Sequence, residues 1–179
     1  MLEKNSLIQI IKQTLIEFTP SSMVKKALKN NPTIIQKSGP IKLFALGKAS
    51  LSMTEGFCEI VGCDRIDAAL IISHQVEKYQ SKWPNHFNLC YSPHPLSNHF
   101  SLEAAEKAIQ FFKNVDALDN LICLISGGGS SMMMKPTNGM TFNEKKHLID
   151  HLIRQGIPER EVNEIRKSLS QVKGGKLLT

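Results

Sequence analysis

With 179 residues, 41% hydrophobic and 21% charged, the chain has enough apolar material for one domain with its own core and too much for intrinsic disorder. A formal net charge of +6 favours anionic partners, whether phosphates, carboxylates or nucleic acid. Aromatics are only 6% and none interleave with a basic stripe, so nucleic acid is not expected as a partner; no apolar run approaches the ~20 residues of a membrane helix, so neither is a membrane.

The N-terminal stretch "MLEKNSLIQIIKQTLIEF" is charged and amphipathic rather than signal-like. Ile8, Ile11, Leu15 and Phe18 recur at helical spacing, predicting a helix over 5–18 that Pro20 stops. Ser21 or Ser22 can cap a second helix through Leu28, and "NNPT" and "KSGP" punctuate the stretch between that helix and residue 41. "IKLFALG" (41–47) is a short apolar run ending in glycine, a buried strand; "KASLSMTEGFCEIV" after it reads as a helix, and "DAALIIS" (67–73) as a second buried strand. Residues 74–97 are loop-like, with a short strand near 86–91. Leu102, Ala105, Ile109 and Phe112 mark one face of a helix over 99–113, and "NLICLIS" (120–126) is a third strand. Thr141 and Glu144 form a T-x-x-E capping box opening a helix that carries Leu148, Ile149, Leu152 and Ile153. Gly156 ends that helix and Pro158 starts the next, whose buried stripe is Val162, Ile165, Leu169 and Val172.

Continuous apolar strands alternating with amphipathic helices predict an α/β fold: a Rossmann-like, doubly wound, mostly parallel sheet with helices on both faces, a three-layer sandwich. Ligands of such sheets bind beyond the carboxyl ends of the strands, and two of the predicted strands end in suggestive loops. One is Gly47-Lys48. The other is Ser126-Gly127-Gly128-Gly129-Ser130. Successive glycines let the backbone approach an anion and present N–H groups to it, but the run fits neither G-x-x-x-x-G-K-[ST] nor G-x-G-x-x-G. On local sequence it is either an anion nest or a plain strand-to-helix turn. Lys48 is either a point charge aimed at the same sheet edge or an exposed lysine at a helix start. Asn163, Arg166, Ser170 and Lys173, at i, i+3, i+7 and i+10, would share one helical face of donors and positive charge; that face suits an anion site or plain solvent.

Other candidates carry less. His147 and His151 are i, i+4, but Leu148 stands where the zincin glutamate belongs and no third ligand is apparent, so no metal site is assigned. His94-Pro95 has no role by default, and Met132–Met134 read as core filling. Four cysteines, Cys58, Cys63, Cys90 and Cys123, form no C-x-x-C; three lie in or beside apolar stretches, as buried thiols of a reducing cytoplasm do. No acidic pair for Mg²⁺ stands beside the glycine loop.

Together, "FALGKAS", "SPHPLSN", "LISGGGSSMM", "GMTFNEKKHLIDHLIRQGI" and "VNEIRKSLSQVKGGKL" resemble, in order and over about residues 1–178, the N-terminal domain of the glycerate 2-kinase family, often labelled hydroxypyruvate reductases. The resemblance implies an enzyme that transfers phosphate from ATP, with Mg²⁺, to D-glycerate, giving 2-phosphoglycerate, in a cleft between two α/β domains. It implies that Lys48 is the catalytic lysine of a Gly-Lys-Ala motif that includes Gly47. It implies that Ser126, Gly127, Gly128, Gly129 and Ser130 face the cleft, that Asn163 and Arg166 are the family's Asn-x-x-Arg pair, and that Lys173 to Gly175 are its Lys-Gly-Gly. These positions would hold nucleotide, phosphate or substrate.

Two departures bear on that reading. The family's usual His-Pro-x-Pro-Asp stands here as His94-Pro95-Leu96-Ser97-Asn98, without the aspartate. The chain also stops at "KGGKLLT", where family members continue into a further strand and a second domain. It therefore reads as a single, truncated N-terminal domain, 1–179, inactive alone and needing the missing C-terminal domain or a separately encoded counterpart. A missing strand would leave a sheet edge inviting a second copy. The alternatives are a non-catalytic nucleotide- or phosphate-binding module and a hydroxypyruvate reductase; the latter lacks a G-x-G-x-x-G fingerprint after the first strand.

Overall fold

The short apolar run Ile41–Leu46 forms strand β1 and occupies an interior position of the sheet. In the computed structural model, which describes residues 4–35, 38–79 and 82–178, the other strands are β2 (Ile66–Ser73), β3 (Phe87–Tyr91) and β4 (Asn120–Ile125). All pairings are parallel and the order is β3-β2-β1-β4. Helices α1 (Lys4–Glu17) and α2 (Pro20–Asn30) precede β1; α3 (Ser50–Val61) joins β1 to β2, and α4 (His99–Lys113) joins β3 to β4. After β4 come a single helical turn, α5 (Gly129–Met132), then α6 (Phe142–Arg154) and α7 (Glu159–Ser168).

The doubly wound architecture follows from side-chain alternation. Successive residues of a strand point to opposite faces, so Leu43 and Ala45 pack with α2 and α3 around Phe57, while Phe44 and Leu46 pack with α4 around Ala104, Ala108 and Met132. A fully buried side chain such as Leu43 or Phe57 stabilises by about 1.5–3 kcal/mol relative to leaving it in water. The chain winds outward from β1 through β2 to β3, then returns across the sheet to place β4 on the other side of β1. Right-handed crossovers in opposite directions put α3 and α4 on opposite faces. The point where the direction reverses lies between β1 and β4, the usual ligand position in such sheets.

Several local expectations are corrected. The second helix is capped by Thr19, whose side chain accepts from Ser22 N, and Pro20 opens it at its first turn; neither Ser21 nor Ser22 is the cap, because proline suits the first helical position, where its missing N–H costs nothing. The Ile8, Ile11, Leu15 and Phe18 stripe is 40% to 66% exposed: nothing among the described residues covers it. Cys58 and Cys90 are buried, but Cys123 is exposed: β4 is the edge strand of the sheet, and Cys123 and Ile125 lie on its more open face. Of the apolar residues on α6 only Ile149 is buried, and Leu148 and Ile153 lie at the surface. Helix α7 ends at Ser168 rather than running to Val172. No described helix is long and apolar enough to cross a membrane.

Candidate functional site

β1 and β4 end side by side, with Leu46 in register with Ile125. The turns after them are sewn together. Ser126 N donates to Leu46 O (2.9 Å), Lys48 N donates to Gly127 O (2.9 Å), and Ala49 N donates to Ser126 Oγ (3.0 Å), which itself donates to Leu46 O (3.3 Å). Ser126 is thus a fastener between the turns, and its hydroxyl is consumed in that role. Gly47 is demanded by the same closeness: its φ is +116°, and a Cβ there would lie 2.4 Å from Ser126 Oγ.

The glycine loop proves to be a turn that also leaves N–H groups open. Gly128 adopts φ +96°, a conformation glycine takes without the penalty of a side chain. The N–H groups of Gly127 and Gly128 find no acceptor among the described residues. The exposed Lys48 side chain lies along this loop, with its Cγ 3.2 Å from where a Gly128 Cβ would stand and its Cε 3.7 Å from that of Gly127. On the other side, His94 Cδ2 would be 2.7 Å from the Gly128 Cβ. Gly129 is packed on Leu46 and opens α5, which at four residues is too short to add a helix macrodipole of consequence. The open N–H groups and the lysine therefore carry whatever attraction the loop has for an anion.

On the α6 side, Gly128 and Ser130 line a cleft of about 420 Å³ together with Arg166 and Lys173. Asn163 accepts from Arg166 Nη1 (3.2 Å) and so fixes the guanidinium one helical turn away. The expected continuous stripe does not exist as a helix face. The helix stops at Ser168, and Ser170 pairs in an isolated antiparallel bridge with Pro136, its hydroxyl buried against Lys135 O. Lys173 still reaches the site by a different route: its Nζ donates to Ser130 O (2.8 Å) and Met133 O (3.0 Å), the carbonyls just beyond the glycine run. Gly174 and Gly175 come next with positive φ, turning the chain away. Ser97, where the resembled family has proline, donates to Ser131 O, and Asn98, where it has aspartate, caps α4.

Lys145 escaped the sequence reading. It sits on α6 four residues before Ile149, on the apolar stripe, is only 2% exposed, and lines the same cleft. Its Nζ donates to Leu169 O (2.6 Å), at the end of α7. Lys176 binds the neighbouring carbonyls of Lys167, Ser168 and Ser170. Burial, reinforced by the charge of Lys176, pulls Lys145 down to about 8. Burial, reinforced by Lys145 and Arg166, pulls Lys173 down to about 8 as well. The signal that could have found Lys145 is a lysine at a core position of an otherwise amphipathic helix. Carboxylates are scarce: Asp150 is the acid that lines the cleft, and no group of three His, Cys, Asp or Glu able to hold a metal occurs among the described residues. His147 and His151 are both exposed on α6.

The family model described as "Domain of unknown function (DUF4147)" matches residues 6–179. The glycerate 2-kinase of Picrophilus torridus is 31% identical over 98% of this chain and 41% of its own length. A putative hydroxypyruvate reductase of Agrobacterium vitis is 34% identical over 78% of this chain and 35% of its own length. The crystal structure of a glycerate kinase from Thermotoga maritima superposes with a TM-score of 0.80 at 25% identity, covering 95% of this chain and 39% of that one. The chain thus spans about two-fifths of the length of the relatives it matches. With its four-stranded parallel sheet, the chain belongs to the DUF4147 family and corresponds to the N-terminal domain of the glycerate kinase family, also named hydroxypyruvate reductase.

Proposed function

We propose that this chain supplies one wall of an ATP-dependent glycerate 2-kinase site. Lys48 is its catalytic lysine, and the loop from Ser126 to Ser130, with Arg166 and Lys173, forms its anion-binding surface. The observation that carries the reading is the Lys48 side chain lying along two glycines whose N–H groups lack acceptors among the described residues, at the switch point of the sheet. Transfer of a phosphoryl group gives the protein little covalent chemistry to do; positioning and charge neutralisation supply the rate. Lys48 provides a mobile point charge, the Gly127 and Gly128 N–H groups provide fixed dipoles, and Gly47 and Ser126 hold the two turns in register. Asn163 acts through Arg166. The phosphates of ATP fit this surface. No group of three His, Cys, Asp or Glu that could cage a divalent metal is assembled among the described residues, so the phosphates and water would supply most of the ligands of an accompanying Mg²⁺.

The oxidoreductase reading is weaker: the turn after β1 is Gly47-Lys48-Ala49-Ser50, without the glycine spacing or ribose-binding acid of a dinucleotide site. Calorimetric titration with ATP and with NADPH separates the two, alongside an assay of NADPH oxidation with hydroxypyruvate. Saturable ATP binding, no NADPH binding and background oxidation are expected. Turnover of hydroxypyruvate would overturn the kinase reading in favour of the reductase.

A further inference from the structure

We propose that Lys145, Lys173 and Arg166 form a second anion subsite, on the α6 side of the glycine loop from Lys48, that binds an oxyanion of the phosphate or carboxylate kind. The proposal deepens the kinase reading, on which it rests, by dividing its anion surface in two and adding a residue to it. It stands on the arrangement of charge around the cleft and on what that charge lacks.

A buried cation is normally paired, because desolvation is costly. Here three cations converge on one cleft and none of the ion pairs among the described residues includes them. Each is anchored instead on neutral acceptors: Lys145 on Leu169 O, Lys173 on Ser130 O and Met133 O, Arg166 on Asn163 Oδ1. An ammonium has three N–H donors, so Lys173 retains one and Lys145 two beyond these anchors. The guanidinium retains most of its fork, which matches carboxylate and phosphate oxygens. Polar anchors of this kind fix the donors in place and leave the charge uncompensated, which is the arrangement an incoming anion completes. The walls toward α6 add Ile149 and Ile153, and Leu96 closes another side, so the anion's organic body meets apolar surface.

The groups facing this charge come from every packed element: His94 before α4, Lys146 and Asp150 on α6, Arg166 on α7, and Lys176 beyond it. Among the described residues lining the cleft, Asp150 is the one carboxylate, set against four basic groups: Lys145, Lys146, Arg166 and Lys173. With the ammonium groups of Lys145 and Lys173 drawn down to about 8, both stay charged at neutral pH and lose charge well before an ordinary lysine. A bound oxyanion holds the protons on.

Calorimetry of the 179-residue chain with inorganic phosphate and, separately, with D-glycerate tests this at pH 7 and pH 9.5. Saturable binding at pH 7 is expected for at least one of them, weakened at least tenfold at pH 9.5. Lys145→Met should weaken it at least tenfold, Lys145→Arg should restore most of it, and Lys25→Met, on an exposed ion pair with Glu59, should change it less than twofold. Preference for phosphate assigns the subsite to a phosphoryl group and preference for D-glycerate assigns it to a carboxylate; either supports it. If Lys145→Met does not fold, a ¹³C titration of the methylated wild-type lysines replaces it, and phosphate or glycerate must then raise the Lys145 midpoint. No saturable binding at pH 7, an equal loss in Lys25→Met, or an unmoved Lys145 midpoint would overturn the proposal. ATP and Lys48 take no part in these measurements, so their outcome is separate from that of the kinase reading.

Discussion

Gly47 shows how narrowly one residue can be specified. Its backbone is left-handed and a methyl group there would collide with Ser126 at both its hydroxyl and its carbonyl, 2.4 and 2.5 Å away. Gly47→Ala should therefore destabilise the fold by about 2 kcal/mol or more, read as a lowered urea midpoint, and it should part the two turns that hold Lys48 against the glycine loop. The glycine was legible in the sequence as a strand terminator; the reason for it was not, because Ser126 lies 79 positions away in the sequence and only the β1–β4 pairing brings it close. Lys145 makes a second residue-scale prediction. An unfolded lysine titrates near its ordinary 10.5, whereas the folded one titrates near 8. Between those values the unfolded chain holds more protons, so this residue makes stability rise with pH across the window and withdraws that gain as pH falls through 8. The buried thiols of Cys58 and Cys90, raised by burial, push the opposite way, but they are common to wild type and variant. Denaturant unfolding at pH 7.5 and 9.5 should show the wild type gaining stability relative to Lys145→Met over that interval.

At the scale of elements, periodicity located the helices and strands wherever local signals agreed with packing. The helix over 99–113 is found with the same limits, and the Thr141–Glu144 box caps α6 as its spacing implies. Asn98 caps α4 in a reciprocal arrangement with Ser101, so Asn98→Ala should cost about 1 kcal/mol, measurable by thermal unfolding, without disturbing the cleft's lysines. Periodicity failed at the end of α7, where Leu169 and Val172 continue the apolar spacing but the helix has already stopped. The reason is tertiary: Ser170 is bridged to Pro136, Gln171 N donates to Lys135 O, and the ammonium groups of Lys145 and Lys176 take up the freed carbonyls. None of those contacts is encoded in the apolar spacing of α7, so no local pattern could report them. Of the stripe predicted from Asn163 to Lys173, Arg166 and Lys173 line one cleft and Asn163 bonds Arg166, but they come together by separate routes rather than on one helix face, and Ser170 lies apart against Lys135. At α1 and β4, periodicity gave the element and could not give its burial, since that depends on what packs against it.

Considered whole, the molecule presents a donor-rich, carboxylate-poor surface at the carboxyl end of a parallel sheet, while relatives of the same family are about two and a half times its length, as their coverage of 41% and 39% implies. A cleft that works by positioning charge on both sides of a transferring group needs both sides. In a coupled assay with ATP, Mg²⁺ and D-glycerate, this chain by itself should form 2-phosphoglycerate at no more than the background rate. The exposed edge of β4 and the uncovered apolar stripe of α1 should also promote self-association, and sedimentation at increasing concentration should reveal species larger than a monomer. The central claim, that Lys48 and the glycine loop form a phosphate-facing wall, is tested most directly by calorimetric titration of ATP into the wild type, Lys48→Met and Lys25→Met at neutral pH. Saturable binding that weakens at least tenfold in Lys48→Met and less than twofold in Lys25→Met is predicted; affinity unchanged by loss of Lys48, in a chain that still folds, would contradict it.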